Sequence, residues 1–223
     1  MRPRVVAIVP SAGYGRRLGL KKKKPFVLLN GKPIVSYALK TLDGCSAIDR
    51  IIIASENSCV NSFKALAKRY RFKKVTDVII GGKTRAESVR NCLKIVDRSF
   101  DIVLIHDGAR PFVTKSMIEE SIRLSRKYGG CVVAVPESDT VKLADKGMFI
   151  KDTPDRSRLF RAQTPQTFRR EVIKKAYAGF KKGVTDDSGL AEKTGARIAI
   201  LEGSYKNIKI TTKEDLKFAE VLI

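Results

Sequence analysis

Small residues and a dense group of cations follow the first apolar run of the chain. Segment 10–15 reads PSAGYG, and six cations lie within the nine residues 16–24, RRLGLKKKK. Small residues let a backbone approach a ligand closely and turn its N–H groups toward it. Backbone donors beside dense positive charge suit a polyphosphate, which this segment is predicted to bind. The alternative is a glycine turn followed by a basic loop in solvent.

Two better-known nucleotide motifs do not fit this segment. Gly13 and Gly15 begin the dinucleotide fingerprint G-x-G-x-x-G, but Leu18 stands where the third glycine belongs. No acidic residue ends the second strand about 20 residues later, where a ribose hydroxyl would be bound. The segment also lacks the G-K-S/T of a P-loop. We therefore predict a phosphate site of a different kind.

A glycine-rich segment, GGKTRAES at 81–88, follows the strand-like run Val75–Ile80. Thr84 and Glu87 have the spacing of a capping box, which predicts that a helix begins there. Free N–H groups and the positive end of the helix dipole then face the ligand edge of the sheet. The segment is predicted to bind a ligand, and a glycine turn before a helix is the alternative.

A third segment, HDGARP at 106–111, follows the run Ile102–Ile105. Asp107 could hold a hydrated Mg²⁺ or hydrogen-bond a ribose, because one carboxylate plus substrate phosphates is a usual magnesium arrangement. A structural carboxylate that caps a turn is the alternative. His106 has no second titratable partner in the motif, so we expect it to be structural rather than a catalytic base.

The elements that must position these segments alternate between strand and helix. Strands are predicted at Val5–Val9, Arg50–Ala54, Val75–Ile80, Ile102–Ile105, Cys131–Val135, Arg197–Leu201 and Ile208–Ile210. Helical spacing lies between most of them, and further helices are predicted to begin at the capping pairs Ser116 with Glu119 and Thr211 with Glu214. The alternation predicts one α/β domain over residues 1–223, Rossmann-like, with a mostly parallel sheet and helices on both faces.

Segment 136–155 departs from this alternation. Apolar residues alternate at Val141, Leu143, Met148 and Ile150 about the turn 145–147, which predicts a β-hairpin. An isolated hairpin is marginally stable in water. The segment is therefore expected to protrude as an arm that buries its apolar residues against a second copy of the chain, giving a homodimer.

Composition limits the classes of partner. The 223 residues carry 45 basic and 23 acidic side chains, a formal net charge of +22, which favours anionic partners. Aromatic residues make up only 7% of the chain, so a nucleic-acid-binding protein is the remoter alternative and no nucleic acid is expected as a partner. No run is long enough for a membrane span. The four cysteines lack C-x-x-C spacing, which favours reduced thiols and the cytoplasm, with a plastid stroma as the alternative.

The three segments together resemble the 2-C-methyl-D-erythritol 4-phosphate cytidylyltransferases of the non-mevalonate isoprenoid pathway. That family has P-A-A-G-x-G-x-R and a later lysine, then G-G-x-x-R-x-x-S, then H-D-x-A-R-P. Ser11 departs from the first motif, and the other fixed positions of the three motifs match. The lysine falls at Lys24, with Lys23 as the open alternative because the neighbouring proline here follows at Pro25. Scattered matches in the second half extend the resemblance over nearly all of residues 5–223.

The resemblance implies a role for each matching residue. Arg17 and Lys24 would stabilise the transition state, while Arg156 and Lys209 would hold the attacking phosphate. Asp107 is the candidate metal ligand, with contact through water or to the ribose as alternatives. Nucleotide contacts are implied for Pro10, Ser11, Ala12, Gly13, Gly15, Gly81, Gly82, Lys83, Arg85, Ser88, Asp107 and Ala109, and acceptor contacts for Arg110, Thr140, Thr164 and Thr185.

The implied reaction is transfer of CMP from CTP to 2-C-methyl-D-erythritol 4-phosphate, with Mg²⁺ or another divalent cation bridging the triphosphate oxygens. A ribitol-5-phosphate cytidylyltransferase is the alternative, because it shares the nucleotide motifs. The family's arm lies across the neighbouring subunit, so Thr140 and Arg156 would reach the partner's acceptor pocket.

Overall fold

A computed structural model describes residues 2–13, 23–179 and 186–223. A seven-stranded sheet lies at its centre, beside two small two-stranded sheets. The strands in chain order are β1 (Val5–Pro10), β2 (Leu28–Leu29), β3 (Lys32–Pro33), β4 (Arg50–Ser55), β5 (Val75–Ile80), β6 (Ile102–Ile105), β7 (Gly129–Pro136), β8 (Leu143–Ala144), β9 (Ile150–Asp152), β10 (Phe160–Arg169) and β11 (Arg197–Glu202).

The large sheet has the order β11-β7-β10-β6-β1-β4-β5. Its strands are parallel except β10, which runs antiparallel to both β6 and β7. Val6 pairs with Arg50 of β4, and Val5 pairs with Ile102 of β6. The predicted mostly parallel α/β sheet is confirmed.

Helices cover both faces of this sheet, as the alternation predicted. Alternate residues of β1 enter different cores: Ala7 packs with Leu39 and Phe63 on one face, and Ile8 packs with Val89 on the other. A strand buried on both faces reads as a continuous apolar run, which explains the sequence of β1. The helices are α1 (Ile34–Asp43), α2 (Val60–Tyr70), α3 (Arg85–Lys94), α4 (Lys115–Tyr128), α5 (Arg170–Ala178), α6 (Asp187–Glu192) and α7 (Lys213–Val221).

Strand β10 was not among the strands predicted from the sequence. Its middle is polar, with the sequence QTPQT at 163–167, so no apolar pattern marked it as a strand. The side chains are nevertheless buried because they find distant partners: Asn207 donates to Gln163 Oε1 at 3.1 Å, and Ser121 lies 2.8 Å from Thr167 Oγ1. Buried polar groups that are hydrogen-bonded carry little penalty.

The predicted strand Ile208–Ile210, which was to carry Lys209, is wrong: the segment is irregular. Ile210 makes one backbone bond, to the carbonyl of Ala109 at 2.9 Å, and its side chain packs in a small core between β2 and α7. This bond fixes the position of Ile210 without continuing a ladder.

Two predicted helix caps are also displaced. Helix α4 is capped by Thr114, whose hydroxyl accepts from Met117 N at 3.2 Å, rather than by the Ser116 pair. Helix α7 begins with a capping box formed by Thr212 and Asp215, one residue after the predicted Thr211 pair. In both regions two hydroxyl residues lie one or two positions apart, and spacing alone does not choose between them.

A hairpin forms inside segment 136–155, where β8 pairs with β9. Its apolar side chains face solvent in this chain: Leu143 is 50% exposed, Met148 84%, Phe149 74% and Ile150 65%. None of the helices in the described ranges combines the length and apolar character needed to cross a membrane.

Candidate active site

A cavity of about 420 Å³ opens at the carboxyl ends of β1, β5 and β6. Open α/β sheets bind ligands at this edge. The three segments predicted to bind ligands meet here, and Lys209 joins them from the C-terminal part of the chain. The described lining is Pro10, Ser11, Ala12, Gly13, Lys24, Pro25, Gly82, Lys83, Thr84, Arg85, Ser88, Asp107, Gly108, Ala109, Lys209 and Thr211.

Close packing explains the two glycines that begin segment 81–88. A Cβ on Gly81 would lie 2.7 Å from Ser88 Oγ, and a Cβ on Gly82 would lie 2.2 Å from Glu87 Cβ. The Ser88 hydroxyl accepts a hydrogen bond from Gly82 N at 3.0 Å and donates one to Thr84 O at 2.9 Å. Ser88 therefore fixes the shape of the loop, and the loop backbone forms one wall of the cavity.

Asp107 is buried beside two cations. Its Oδ1 lies 2.8 Å from Arg85 Nε, and its Oδ2 lies 2.6 Å from Lys209 Nζ. Burial by itself raises the pKa of a carboxyl group, but here the two cations outweigh burial and hold the pKa of Asp107 well below its usual range. The carboxylate is therefore ionised at neutral pH.

Arg85 joins Asp107 to a second buried carboxylate, Asp187, at the start of α6. Arg85 Nη1 lies 2.7 Å from Asp187 Oδ2, and the Tyr177 hydroxyl donates to Asp187 Oδ1. Burial lowers the pKa of Arg85, but the two carboxylates outweigh burial and raise it. Asp187 was not predicted as a site residue; its position two residues after Thr185 was the sequence signal available.

Thr164, predicted to contact the acceptor, lies buried behind Asp107. Its Oγ1 accepts from Asp107 N at 3.1 Å and donates to His106 Nδ1 at 3.0 Å. His106 Nε2 then donates to the carbonyl of Arg110 at 3.1 Å. Burial lowers the pKa of His106 to about 4, so the ring is neutral and has the structural placement that was expected.

Arg110, also predicted to contact the acceptor, supports the segment that carries Lys209. Its Nη1 donates to Asn207 O at 2.6 Å, and it does not line the cavity. Asn207 Nδ2 in turn donates to the carbonyl of Thr164 at 2.9 Å. These bonds fix the backbone two residues before Lys209.

The two candidate lysines have different surroundings. Lys24 lines the cavity at the start of a short 3₁₀ helix, Lys24–Phe26. Lys23 Nζ lies 2.6 Å from Glu56 Oε2, in an ion pair. The geometry therefore favours Lys24 over Lys23 as the lysine that meets a ligand.

Two further predicted residues lie away from the cavity of their own chain. Thr140 and Arg156 are exposed and do not line it, and Arg156 Nη1 donates to Ser138 O at 2.8 Å. The predictions for Gly15, Arg17 and Thr185 fall outside the described residues.

The described side chains do not form a resident metal site. Within residues 2–13, 23–179 and 186–223, no group of three or more His, Cys, Asp or Glu side chains is placed to hold a metal ion. Asp107 contributes a carboxylate to the described lining, but each of its oxygens is in an ion pair. A divalent cation here would take most of its ligands from a bound phosphate compound.

Known proteins match the sequence of this chain over nearly all of its length. A family model described as "IspD: 2-C-methyl-D-erythritol 4-phosphate cytidylyltransferase" matches residues 5–223. A curated relative with that enzyme name from Clostridium acetobutylicum is 42% identical over 221 residues, which cover 97% of this chain and 96% of the relative. A relative of the same name from Clostridium perfringens is also 42% identical, with 97% of each chain covered.

Solved structures agree with these relatives. The 4-diphosphocytidyl-2C-methyl-D-erythritol synthase of Anaerococcus prevotii matches with a TM-score of 0.87 and 30% identity, covering 100% of this chain and 99% of that one. The 2-C-methyl-D-erythritol 4-phosphate cytidylyltransferase of Francisella tularensis matches with a TM-score of 0.81 and 29% identity, covering 99% and 100%. The chain therefore belongs to the 2-C-methyl-D-erythritol 4-phosphate cytidylyltransferase family.

Proposed function

We infer that this chain is a nucleotidyltransferase that transfers CMP from CTP to 2-C-methyl-D-erythritol 4-phosphate in isoprenoid precursor biosynthesis. A phosphate oxygen of the acceptor attacks the α-phosphorus of CTP, and the bond from that phosphorus to the β-phosphate oxygen breaks. The products are 4-diphosphocytidyl-2-C-methyl-D-erythritol and pyrophosphate. The observation that carries this conclusion is the family match over residues 5–223, together with the meeting of the family's three motifs at one cavity.

The nucleoside is proposed to lie between segments 10–13 and 81–88. The Ser11 hydroxyl supports this placement, because it is buried at the cavity without a hydrogen-bond partner among the described residues. The loop backbone beside Gly82 offers peptide groups that can distinguish the hydrogen-bonding edge of cytosine. Asp107 is proposed to accept from the ribose, where an ionised carboxylate is a strong acceptor.

The phosphate groups are proposed to lie toward Lys24 and Lys209. Phosphoryl transfer depends mainly on positioning and on offsetting developing charge, which these cations can do. Lys24 would stabilise the charge on the triphosphate and the leaving pyrophosphate, and Lys209 would hold the phosphate of the acceptor. Arg17 is proposed to act with Lys24.

A divalent cation is proposed to arrive with CTP rather than to reside in the protein. The two ion pairs of Asp107 support binding of the cation together with CTP, since each carboxylate oxygen already faces a protein cation before a ligand enters. Bound to the triphosphate, Mg²⁺ would offset its negative charge.

We also propose a cytoplasmic location, because the cysteines Cys45, Cys59, Cys92 and Cys131 are free and suit a reducing compartment.

A pyrophosphate-release assay tests the reaction. With 2-C-methyl-D-erythritol 4-phosphate as acceptor, CTP should be turned over much faster than ATP or GTP. With CTP fixed, that acceptor should be preferred over ribitol 5-phosphate. Preference for ribitol 5-phosphate would support the alternative transferase, and equal turnover of all nucleotides would remove the role of loop 81–88.

We propose in addition that two copies form a homodimer through segment 136–155. Two observations support it: the hairpin exposes Leu143, Met148 and Phe149, and the predicted acceptor residues Thr140 and Arg156 do not line the cavity of their own chain. Burying exposed apolar area against a second copy is favourable. A symmetric exchange of arms would bring each Arg156 to the partner's cavity.

Substitution at the hairpin tests the dimer. Phe149→Glu should convert it to a monomer in sedimentation velocity experiments, because a charge would enter the buried contact. Phe218→Glu is the matched control, since Phe218 is 68% exposed on α7. A Phe149→Glu dimer, or dissociation by both variants equally, would refute the proposed contact.

Mixing of inactive chains tests whether the sites are shared. Arg156→Ala chains and Lys24→Ala chains should each be inactive alone, and exchange should restore activity at the heterodimer site that has both residues. Arg158→Ala is the control for Arg156, because it lies in the same short helix Arg156–Arg158 and is also exposed. Proven heterodimers without recovered activity would show that each chain supplies its own Arg156.

A further inference from the structure

We propose that Asp187 is a positioning residue that acts through Arg85 to hold Asp107 in the orientation that binds CTP. The proposal rests on the proposed function, because it assumes that Asp107 contacts the nucleotide. It concerns a carboxylate that does not line the cavity but lies directly behind it. Asp107, Arg85 and Asp187 form a row of three charged groups, with Arg85 between the two carboxylates.

Asp187 is held rigidly. Its side chain is fully buried, with Arg85 Nη1 at 2.7 Å from Oδ2 and the Tyr177 hydroxyl donating to Oδ1. Its backbone N–H donates to Gln166 Oε1 at 3.1 Å, and that amide comes from strand β10. Asp187 is therefore held by two contacts to its carboxylate and one to its backbone, which makes it an anchor for the cation that faces it.

Burial of this carboxylate is costly for folding alone. Removing a charge from water carries a penalty that its ion pair often fails to offset, and apolar replacements of buried pairs are frequently as stable. A buried charge that adds little stability is more readily explained by what it orients. The group it orients is Arg85, whose other edge contacts Asp107 Oδ1 at 2.8 Å.

The shape of the Arg85 guanidinium group explains how Asp187 can orient Asp107. Its planar array of donors has a fixed geometry, so fixing Nη1 on Asp187 also fixes the direction in which Nε points. Asp107 then meets Arg85 with one oxygen and keeps the other toward Lys209 and the cavity. Without the charge of Asp187, Arg85 is free to rotate away from this orientation, and Asp107 loses the partner that holds its Oδ1.

Arg85 was predicted to contact the nucleotide, and this proposal gives it a supporting role instead. Its two ion pairs direct the guanidinium group to protein carboxylates, so it supports the nucleotide site rather than recognising the base. The same pairs connect loop 81–88 to the first turn of α6, two residues after Thr185. One arginine thereby ties the nucleotide side of the site to the segment predicted to support the acceptor.

The test measures CTP binding by calorimetry, without turnover, in Asp187→Asn. Asparagine keeps the shape and a hydrogen-bond acceptor but removes the charge, and we expect CTP to bind about tenfold more weakly. Asp186→Asn is the matched control: Asp186 caps α6 and bonds Gln166 and Ser188 but does not contact Arg85, and asparagine caps helices well. This control should bind CTP as the unsubstituted chain does.

A double-mutant cycle separates positioning from a general structural effect. If Asp187 acts through Asp107, then Asp187→Asn should weaken CTP binding little further in a chain that already carries Asp107→Asn. Fully additive losses, or an unchanged CTP affinity in folded Asp187→Asn, would overturn the inference. Absence of CTP binding in the unsubstituted chain would instead refute the proposed function, so the two failures are distinguishable. Circular dichroism would verify that each variant is folded.

Discussion

The neutral ring of His106 leads to a prediction about stability in acid. Its Nδ1 accepts from Thr164, whose hydroxyl accepts from Asp107 N, and its Nε2 donates to the carbonyl of Arg110. The donor and acceptor of each hydrogen bond in this series are fixed by its neighbours. A proton on Nδ1 would therefore face the hydrogen of the Thr164 hydroxyl. Protonation of the folded protein is therefore opposed by hydrogen bonding as well as by burial.

The magnitude follows from the two pKa values. Burial lowers the pKa of His106 to about 4 in the folded chain, against 6.5 for an unperturbed ring. As the pH falls below about 6.5, the unfolded chain takes up a proton that the folded chain does not, so stability decreases as pH decreases. Proton uptake by His106 therefore lowers the free energy of unfolding by about 2 kcal/mol between pH 7 and pH 5. The total loss relative to pH 7 reaches about 3 kcal/mol below pH 4.

Two measurements check this value. His106 is the single histidine of the chain, so its imidazole resonances in an NMR titration need no further assignment and give the folded-state pKa directly. Urea unfolding at pH 5, 6 and 7 should then show a steeper pH dependence in the unsubstituted chain than in His106→Asn, which does not titrate. An imidazole that titrates near 6.5 in the folded protein, or equal slopes in the two chains, would refute the reasoning.

Two predictions concern catalysis. Lys24→Ala should lower kcat about a hundredfold with little change in CTP affinity, because it removes a contact to developing charge. Lys23 pairs with Glu56, so Lys23→Ala should change kcat less than about threefold. The reverse result would assign the catalytic role to Lys23. Gly82→Ala should weaken CTP binding about tenfold or more, since its Cβ would lie 2.2 Å from Glu87 Cβ and the loop must move. Gly179→Ala is its control, because a Cβ there meets no atom of the described residues within 4 Å, and equal CTP affinity in both variants would contradict the loop's role.

The sheet could be predicted where strands are apolar. Runs such as Val75–Ile80 and Ile102–Ile105 are strands with those bounds. Ile102–Ile105 is buried along its whole length, and a strand buried on both faces needs a continuous apolar sequence. Val75–Ile80 lies at the edge of the sheet and is only partly buried, and its β-branched residues marked it as a strand. The three ligand segments were found for a related reason: each follows such a strand, and parallel strands end at a common edge. Small residues and cations at these ends then indicated the ligand.

Strand β10 could not be predicted from the same rule, because its stability depends on partners far away in sequence. Thr164 is buried by bonds to Asp107 and His106, and Gln166 by bonds to Asp186 and the backbone of α6. None of these partners is visible from local spacing. The position of Thr164 behind the cavity, rather than on its wall, follows from the same long-range bonds.

The local balance of charge at the cavity was equally hidden in the composition. A formal charge of +22 suggests a general attraction for anions, but surface charges beyond about 10 Å are screened by salt at 0.1 M. At the site, Asp107 pairs with Arg85 and Lys209, and Asp187 pairs with Arg85, so these two cations face protein carboxylates. We therefore expect ligand selection to depend on where individual cations are held at the cavity, and the carboxylates Asp107 and Asp187 determine that placement for Arg85 and Lys209. The excess of basic residues over the whole surface does not show this arrangement.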